Sequence, residues 1–109
     1  MHPTYEIKAR LLHILANPRR LEIVDLLRDR ELTVTQISES LGVSQAGTSQ
    51  HLAALRNCGI LESRKERNFV YYKLADPKIG TACRMMNDVI MAVVIREGLR
   101  PALAAALFA

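Results

Sequence analysis

Several sequence features that mark other classes of protein are rare or missing. Five glycines and four prolines among 109 residues exclude collagen-like and linker sequences. Two cysteines, Cys58 and Cys83, are too few for a disulfide scaffold. No stretch approaches the ~18 consecutive apolar residues of a membrane span, and the N-terminus lacks the basic and apolar runs of a signal peptide. We therefore expect a soluble, cytoplasmic protein with reduced thiols and no membrane partner.

The motifs of common enzyme chemistries are also missing. The sequence has no glycine-rich phosphate loop, nucleophile elbow or paired-histidine motif. A thiol redox enzyme would need a Cys-x-x-Cys motif or a cysteine beside a base, and neither is present. The sequence therefore predicts no enzymatic activity.

The composition is that of a small globular protein with a basic excess. Hydrophobic residues make up 50% and charged residues 24% of the chain, and the length suits one domain over 1–109. The net charge of +4 favours a polyanionic partner but is also an ordinary solubilising charge. A core this small cannot cover every apolar face, so uncovered faces would favour oligomerisation.

The hydrophobic periodicity changes once along the chain. Up to residue 59 it predicts helices, with Pro18, Thr33 and Ser44 as start signals and Gly42 as a stop signal. Residues 60–65 and 69–74 are rich in β-formers and predict a hairpin whose turn is 66–68. Asp76 and Pro77 then begin a helix of about twenty residues. The apolar tail, 102–109, either docks on the body or is disordered.

Two short helices joined by a tight turn give the strongest signal, at about 33–58. Such a helix-turn-helix places its second helix in the DNA major groove. Helical spacing puts Thr48, Leu52 and Leu55 on the inward face. The outward positions near the start of this helix are Gln45, Ala46, Ser49 and Gln50, whose polar members can bond to base edges.

The alternative is an amphipathic helix whose polar face is only solvated. That interpretation would normally require acidic residues among the exposed positions. No Asp or Glu occurs from Ser44 to Gly59, whereas Arg56 is present. The charge pattern therefore favours a polyanion at this face.

The predicted hairpin, about 60–74, supplies a second basic element. Five Lys or Arg and two Glu lie between Arg56 and Lys73. Arg64, Lys65 and Arg67 approach the turn, where they could reach phosphates or a minor groove. A charged edge that resists strand aggregation is the alternative. Its position directly after the helix-turn-helix favours a DNA-contacting wing.

Four blocks in this order, 16–23, 37–46, 49–56 and 70–76, resemble the ArsR/SmtB family of bacterial winged-helix repressors. The resemblance implies a mainly α winged helix-turn-helix fold with a β-hairpin. It also implies a homodimer formed by the first and last helices, 4–16 and 77–97. Its partner would be double-stranded DNA carrying an imperfect inverted repeat, with repression relieved by an inducer.

From the sequence and this resemblance we expect two sets of functional residues, one that contacts DNA and one that forms the dimer interface. The expected DNA contacts are Ser44, Gln45, Ala46, Thr48, Ser49, Gln50, His51, Arg56, Arg64, Lys65 and Arg67. The expected dimer contacts are Ile7, Leu11, Leu15, Met86, Val89, Ile90 and Val93.

The chain departs from the metal-sensing members of the family that it resembles. Thr33 and Thr35 stand where those members carry cysteines, and hydroxyls do not replace thiolates for soft ions. Of the ligands at the last helix only Asp76 is matched, since the distal positions near Val89 and Ala92 are apolar. We therefore expect no metal and no cofactor at these sites.

Cys58 and Cys83 remain as possible regulatory thiols, through a soft metal, a disulfide or another modification. The alternative is that both are small buried hydrophobes.

A winged helix used for protein interaction, with no direct DNA reading, is the alternative function. Interaction surfaces favour aromatic, Met and Leu anchors, which the outward face of the second helix lacks. RNA binding is less favoured because it usually needs exposed aromatic residues.

Overall fold

Six helices and three strands form the described part of the chain, residues 3–98 and 101–108 of the computed structural model. In chain order they are α1 (Pro3–Leu15), α2 (Pro18–Leu26), β1 (Leu32–Thr33), α3 (Val34–Leu41), α4 (Gln45–Asn57), β2 (Leu61–Glu66), β3 (Phe69–Leu74), α5 (Pro77–Glu97) and α6 (Pro101–Phe108).

The helix starts follow from side-chain caps that the sequence predicts. The Asn17 side chain accepts hydrogen bonds from two backbone N–H groups at the start of α2, where Pro18 occupies the first position. Thr33 and Gln36 form a reciprocal capping box before α3. Asp76 caps α5 and is followed by Pro77. The predicted starts at Pro18, Thr33 and Asp76 are confirmed.

The three strands form one antiparallel sheet in the order β1-β3-β2. The β2–β3 register runs from Leu61 opposite Leu74 to Glu66 opposite Phe69, which confirms the predicted hairpin. The turn is one residue shorter than the predicted 66–68, because Glu66 is paired within the ladder. The sequence prediction did not include β1, which lies on the other edge of β3.

The hydrophobic core lies where α2, α3 and α4 meet the base of the sheet. Its buried members are Ile23, Val24, Leu27, Ile37, Leu52, Leu55, Ile60, Leu61 and Leu74. Helix α5 approaches this core closely at Gly80, where an added Cβ would lie 3.0 Å from Arg28 Cγ and 3.1 Å from Leu74 Cδ1. The core thus fixes α4 and the hairpin relative to each other.

The outer helices are covered much less. Helix α1 contains no buried residue. Along α5 the exposed large apolar side chains are Met85, Met86, Val89, Ile90, Met91, Val93 and Val94. The apolar tail forms helix α6, so the part of it within the described residues is ordered as a helix. No helix within residues 3–98 and 101–108 is both long and apolar enough to cross a bilayer.

Candidate nucleic-acid interface

Helices α3 and α4 form the predicted helix-turn-helix. Gly42 ends α3 in the left-handed conformation, with φ of 66°, and its N–H donates to the Glu39 carbonyl. Ser44 then caps α4, since its side chain accepts from the Gly47 N–H at 3.1 Å. The short turn between the two caps holds the start of α4 beside α3. This is the arrangement in which the second helix presents its first turns to a DNA groove.

The inward face of α4 is as predicted. Thr48, Leu52 and Leu55 are all buried in the core. Thr48 was also among the expected DNA contacts, and that assignment is wrong. Its side chain is 1% exposed, and its hydroxyl donates to the Ser44 carbonyl at 2.8 Å. Thr48 packs α4 against the body.

The outward face of α4 carries short polar side chains. Ser44, Gln45, Ala46, Ser49 and Gln50 are exposed. The Gln45 amide donates to the Thr35 hydroxyl of α3 at 3.1 Å, so this side chain bridges the two helices. Arg56, at the other end of α4, is exposed as well. A face that is polar, carries Arg56 and has no carboxylates is complementary to a DNA duplex in charge.

His51, another member of the expected DNA-contacting set, is half-buried. Its Nδ1 accepts a hydrogen bond from Arg20 Nε at 3.2 Å. The same guanidinium donates to the Ile14 carbonyl at 3.1 Å. The sequence prediction did not include Arg20, which lies 31 residues before His51.

The wing is a hairpin whose tip is the dipeptide Arg67-Asn68. Arg67 adopts a φ of 57°, a left-handed conformation that glycine accepts more readily. Lys65 and Arg67 are exposed. Two cations at the end of a projecting hairpin can reach the phosphates beside a groove that holds α4.

Arg64, predicted to hold a phosphate, is already paired within the chain. Its guanidinium contacts Glu31 at 2.9 Å and Glu66 at 2.6 Å, and it lies 4.6 Å from the centroid of the Tyr71 ring. The Arg64 hydrogen bond lowers the pKa of Glu31, and the two carboxylates raise the pKa of Arg64. In the unbound protein Arg64 therefore connects the wing to the loop before β1. A phosphate contact would require it to leave these partners.

The expected dimer contacts lie on α1 and α5. Ile7, Met86, Val89, Ile90 and Val93 are exposed. Leu11 and Leu15 are half-buried because they also pack against the core. Between α1, α2 and α5 runs an open apolar groove of about 390 Å³. Its lining includes Leu11, Leu12, Leu15, Ile79, Met86 and Ile90.

Both thiols are half-buried against the core. The Cys58 thiol, at the end of α4, donates to the Leu55 carbonyl at 3.3 Å. Burial, together with the Asp25 carboxylate, raises the pKa of Cys83. Within residues 3–98 and 101–108 no three His, Cys, Asp or Glu side chains come together as a metal site would require.

Comparisons with known proteins connect this geometry to one family. Residues 17–63 match the model of the bacterial regulatory protein, arsR family. The transcriptional activator HlyU of Vibrio cholerae is 40% identical over 77 residues, which are 71% of each chain. The transcriptional repressor PagR of Bacillus anthracis is 34% identical over 85 residues, 77% of this chain and 85% of that protein.

Solved structures agree with the sequence comparisons. The structure of HlyU from Vibrio cholerae has a TM-score of 0.74 at 36% identity, covering 82% of this chain and 97% of that one. The homodimeric winged helix-turn-helix DNA-binding domain of Mb0332 from Mycobacterium bovis has a TM-score of 0.75 at 31% identity, covering 83% of each chain. The winged helix-turn-helix fold and the resemblance to the ArsR family are confirmed.

Proposed function

Since this chain belongs to the arsR family of bacterial regulatory proteins, which are DNA-binding transcriptional regulators, we propose that it is a homodimeric repressor of an operator with an imperfect inverted repeat. The chain is not an enzyme. Membership of this family favours direct DNA reading over a module that binds only proteins. The DNA that it reads is in the bacterial cytoplasm, where we propose that it acts.

The outward face of α4 is the observation that carries this proposal. Gln45, Ser49 and Gln50 are exposed on the first two turns, where a recognition helix meets base edges. Gln can bond to adenine in a bidentate way, and Ser can bond to several bases. Lys65 and Arg67 on the wing and Arg56 at the end of α4 supply phosphate contacts.

The self-association that we propose uses α1 and α5. Apolar side chains cover more than one side of α5, and the groove beside α1 continues that surface. One chain of this size leaves these faces in water, and a second copy related by a twofold axis would cover both. The two recognition helices would then enter successive major grooves about 34 Å apart.

The test is a selection of duplexes from a randomised pool by the purified protein, followed by titration of single variants. Loss of one base contact in Gln50→Ala should cost ~1–3 kcal/mol on the selected duplex and relax specificity at one base pair. Arg56→Ala is the comparison, because loss of a phosphate contact should weaken binding to selected and random duplexes alike. Equal losses on both duplexes for Gln50→Ala would contradict base reading by this face.

We also propose that any inducer reaches this regulator through its thiols, with Cys58 reacting before Cys83. The raised pKa of Cys83 leaves less of the nucleophilic thiolate at neutral pH. Cys58 ends the recognition helix, so a group attached there would disturb the connection from α4 to the wing. Release of the Cys58→Ser/Cys83→Ser variant from its duplex by the oxidants or soft metals that release the parent would contradict this proposal.

A further inference from the structure

The side chain of Arg20 joins three helices at one point. It projects from the first turn of α2 and donates from Nη1 to the Ile14 carbonyl of α1 at 3.1 Å. From Nε it donates to Nδ1 of His51 on the recognition helix α4 at 3.2 Å. The backbone of Arg20 is itself fixed, because its N–H donates to the Asn17 side chain at 3.2 Å. We call this set of contacts the Arg20 bridge.

The position of this cation is unfavourable for α2 alone. The N-terminus of a helix carries a partial positive charge, which disfavours a basic side chain in the first turn. The Ile14 carbonyl belongs to the last turn of α1, whose carbonyls lack partners within the helix. A cation at that end of α1 is favourable. The contacts to α1 and α4 therefore explain the presence of a positively charged side chain at this position, whereas the stability of α2 does not.

The bridge also fixes the tautomer of His51. A guanidinium has five donors and no acceptor, so Nδ1 of His51 must be unprotonated to accept its hydrogen bond. The neutral ring then carries its proton on Nε2. His51 thus offers a donor, and not an acceptor, from its remaining ring nitrogen.

We propose that Arg20 is a positioning residue that fixes the recognition helix α4 relative to α1 and so sets the selectivity for the operator. The proposal rests on the function proposed above, in which α1 belongs to the dimer interface and α4 reads bases. Two donors of one planar guanidinium hold the end of α1 and the middle of α4 at a fixed separation. Without them α4 keeps its buried residues but loses a contact that limits its rotation on the core.

The experiment compares Arg20→Met with Arg19→Met. Both variants lose one positive charge in the first turn of α2, and Arg19 is an exposed residue that pairs with Glu22 at 3.2 Å. Affinity is measured on the duplex that the parent selects from a randomised pool and on a random duplex. We expect Arg20→Met to lose about tenfold on the selected duplex, because the binding free energy must then supply the restraint on α4 that the bridge gives the free parent. On the random duplex both variants should lose little affinity, and by equal amounts. Equal losses for the two variants on both duplexes would overturn the proposal.

Variants of His51 test the same contact without touching α2. Both His51→Asn and His51→Leu remove any DNA contact that the His51 ring makes through Nε2, so we expect both to bind the selected duplex less tightly than the parent. His51→Asn places an amide oxygen near the position of Nδ1 and should retain more selectivity than His51→Leu, which has no acceptor for Arg20. If Arg20→Met does not fold, the comparison of the two His51 variants decides whether the Arg20 bridge sets the selectivity. Equal selectivity in His51→Asn and His51→Leu would overturn the proposal.

The nitrogen chemical shifts of the His51 ring give a measurement that needs no DNA. They should report the Nε2–H tautomer in the parent and in Arg19→Met, and a mixture of tautomers in Arg20→Met. A parent ring protonated on Nδ1 would overturn the bridge. A parent protein that selects no duplex would instead overturn the proposed function, and the ring shifts would still decide on the bridge.

Discussion

At the scale of single residues, charge can be predicted from the sequence more readily than pairing. The basic character of the wing follows directly from Arg64, Lys65 and Arg67. The contact between Arg64 and Glu31 does not, because these residues are 33 positions apart and meet only when β1 joins the sheet. The same holds for Arg20 and His51, which are 31 positions apart. Neither pair has a local pattern that would predict it.

Removal of the Glu31 charge should increase binding to DNA of any sequence. In Glu31→Gln the Arg64 guanidinium keeps Glu66 but loses its other charged partner, so less pairing is lost when it turns to a phosphate. Affinity for a random duplex should rise, and the slope of log affinity against log salt should steepen by about one unit. Titration at several salt concentrations measures both.

The control for this prediction is Glu62→Gln on the same hairpin. Glu62 pairs with Lys73 at 3.8 Å, and this variant removes an equal charge. It should change affinity less and leave Arg64 in place. Equal gains in Glu31→Gln and Glu62→Gln would mean that only net charge matters and that Arg64 is not released.

Arg67 should affect stability and DNA binding in opposite directions. Its left-handed backbone strains any residue with a Cβ, so Arg67→Gly should raise the free energy of unfolding by up to ~1 kcal/mol. The same variant loses a cation at the wing tip, so affinity should fall alike for all sequences and the salt slope should decrease by about one unit. Urea denaturation and titration measure the two effects.

Arg67→Lys separates the two contributions, because it keeps the charge and the backbone strain. It should resemble the parent in both measurements. If Arg67→Gly bound DNA as tightly as the parent, the wing tip would not contact phosphate.

At the scale of elements, the sequence predicts the parts whose stability is local. The caps at Thr33, Ser44 and Asp76 and the stop at Gly42 act within four residues, so each can be identified without the fold. Strand β1 cannot, because two residues carry no alternation and Leu32–Thr33 is a strand only through pairing with β3. The hairpin is intermediate: its strands show β-formers, but its turn was predicted one residue too long.

The turn between α3 and α4 depends on Gly42. With φ of 66° and no atom within 4 Å of an added Cβ, Gly42→Ala meets no steric clash and suffers only the backbone penalty. It should lower the free energy of unfolding by ~1–2 kcal/mol, the cost of a left-handed residue that carries a Cβ. Thermal or urea denaturation gives the difference.

Gly42→Asn is the matched variant for the same turn. Asparagine tolerates the left-handed region, so its loss should be smaller than that of alanine. Equal losses for Gly42→Ala and Gly42→Asn would show that something other than backbone conformation is disturbed.

At the scale of the whole molecule, the sequence predicts more apolar surface than one core can bury, but it does not predict what covers that surface. The periodicity of α5 shows more apolar positions than one core contact requires, and these side chains are exposed in the single chain. In the dimer that we propose, they would be covered by a second chain, whose geometry no segment of one sequence encodes locally. A monomer would keep Met86, Val89 and Ile90 in water, and contiguous exposed apolar side chains often mark an interaction surface. This is the physical basis for expecting two copies.

Val89→Glu should separate the two copies without unfolding either one. Val89 is 60% exposed in the single chain, so a carboxylate there is solvated in the monomer and desolvated in the dimer. A twofold dimer contains this carboxylate twice, so a penalty of ~3 kcal/mol for each desolvated charge would raise the dimer dissociation constant by roughly four orders of magnitude. Sedimentation should show a parent dimer at micromolar concentration and a Val89→Glu monomer with unchanged helix content.

Thr81→Glu, which adds the same charge at an exposed position near the start of α5, should remain dimeric. Because one recognition helix without its partner reads only half of an inverted repeat, Val89→Glu should also bind the selected duplex far more weakly than Thr81→Glu does. A parent that sediments as a monomer would contradict the α1–α5 dimer and, with it, the inverted-repeat operator.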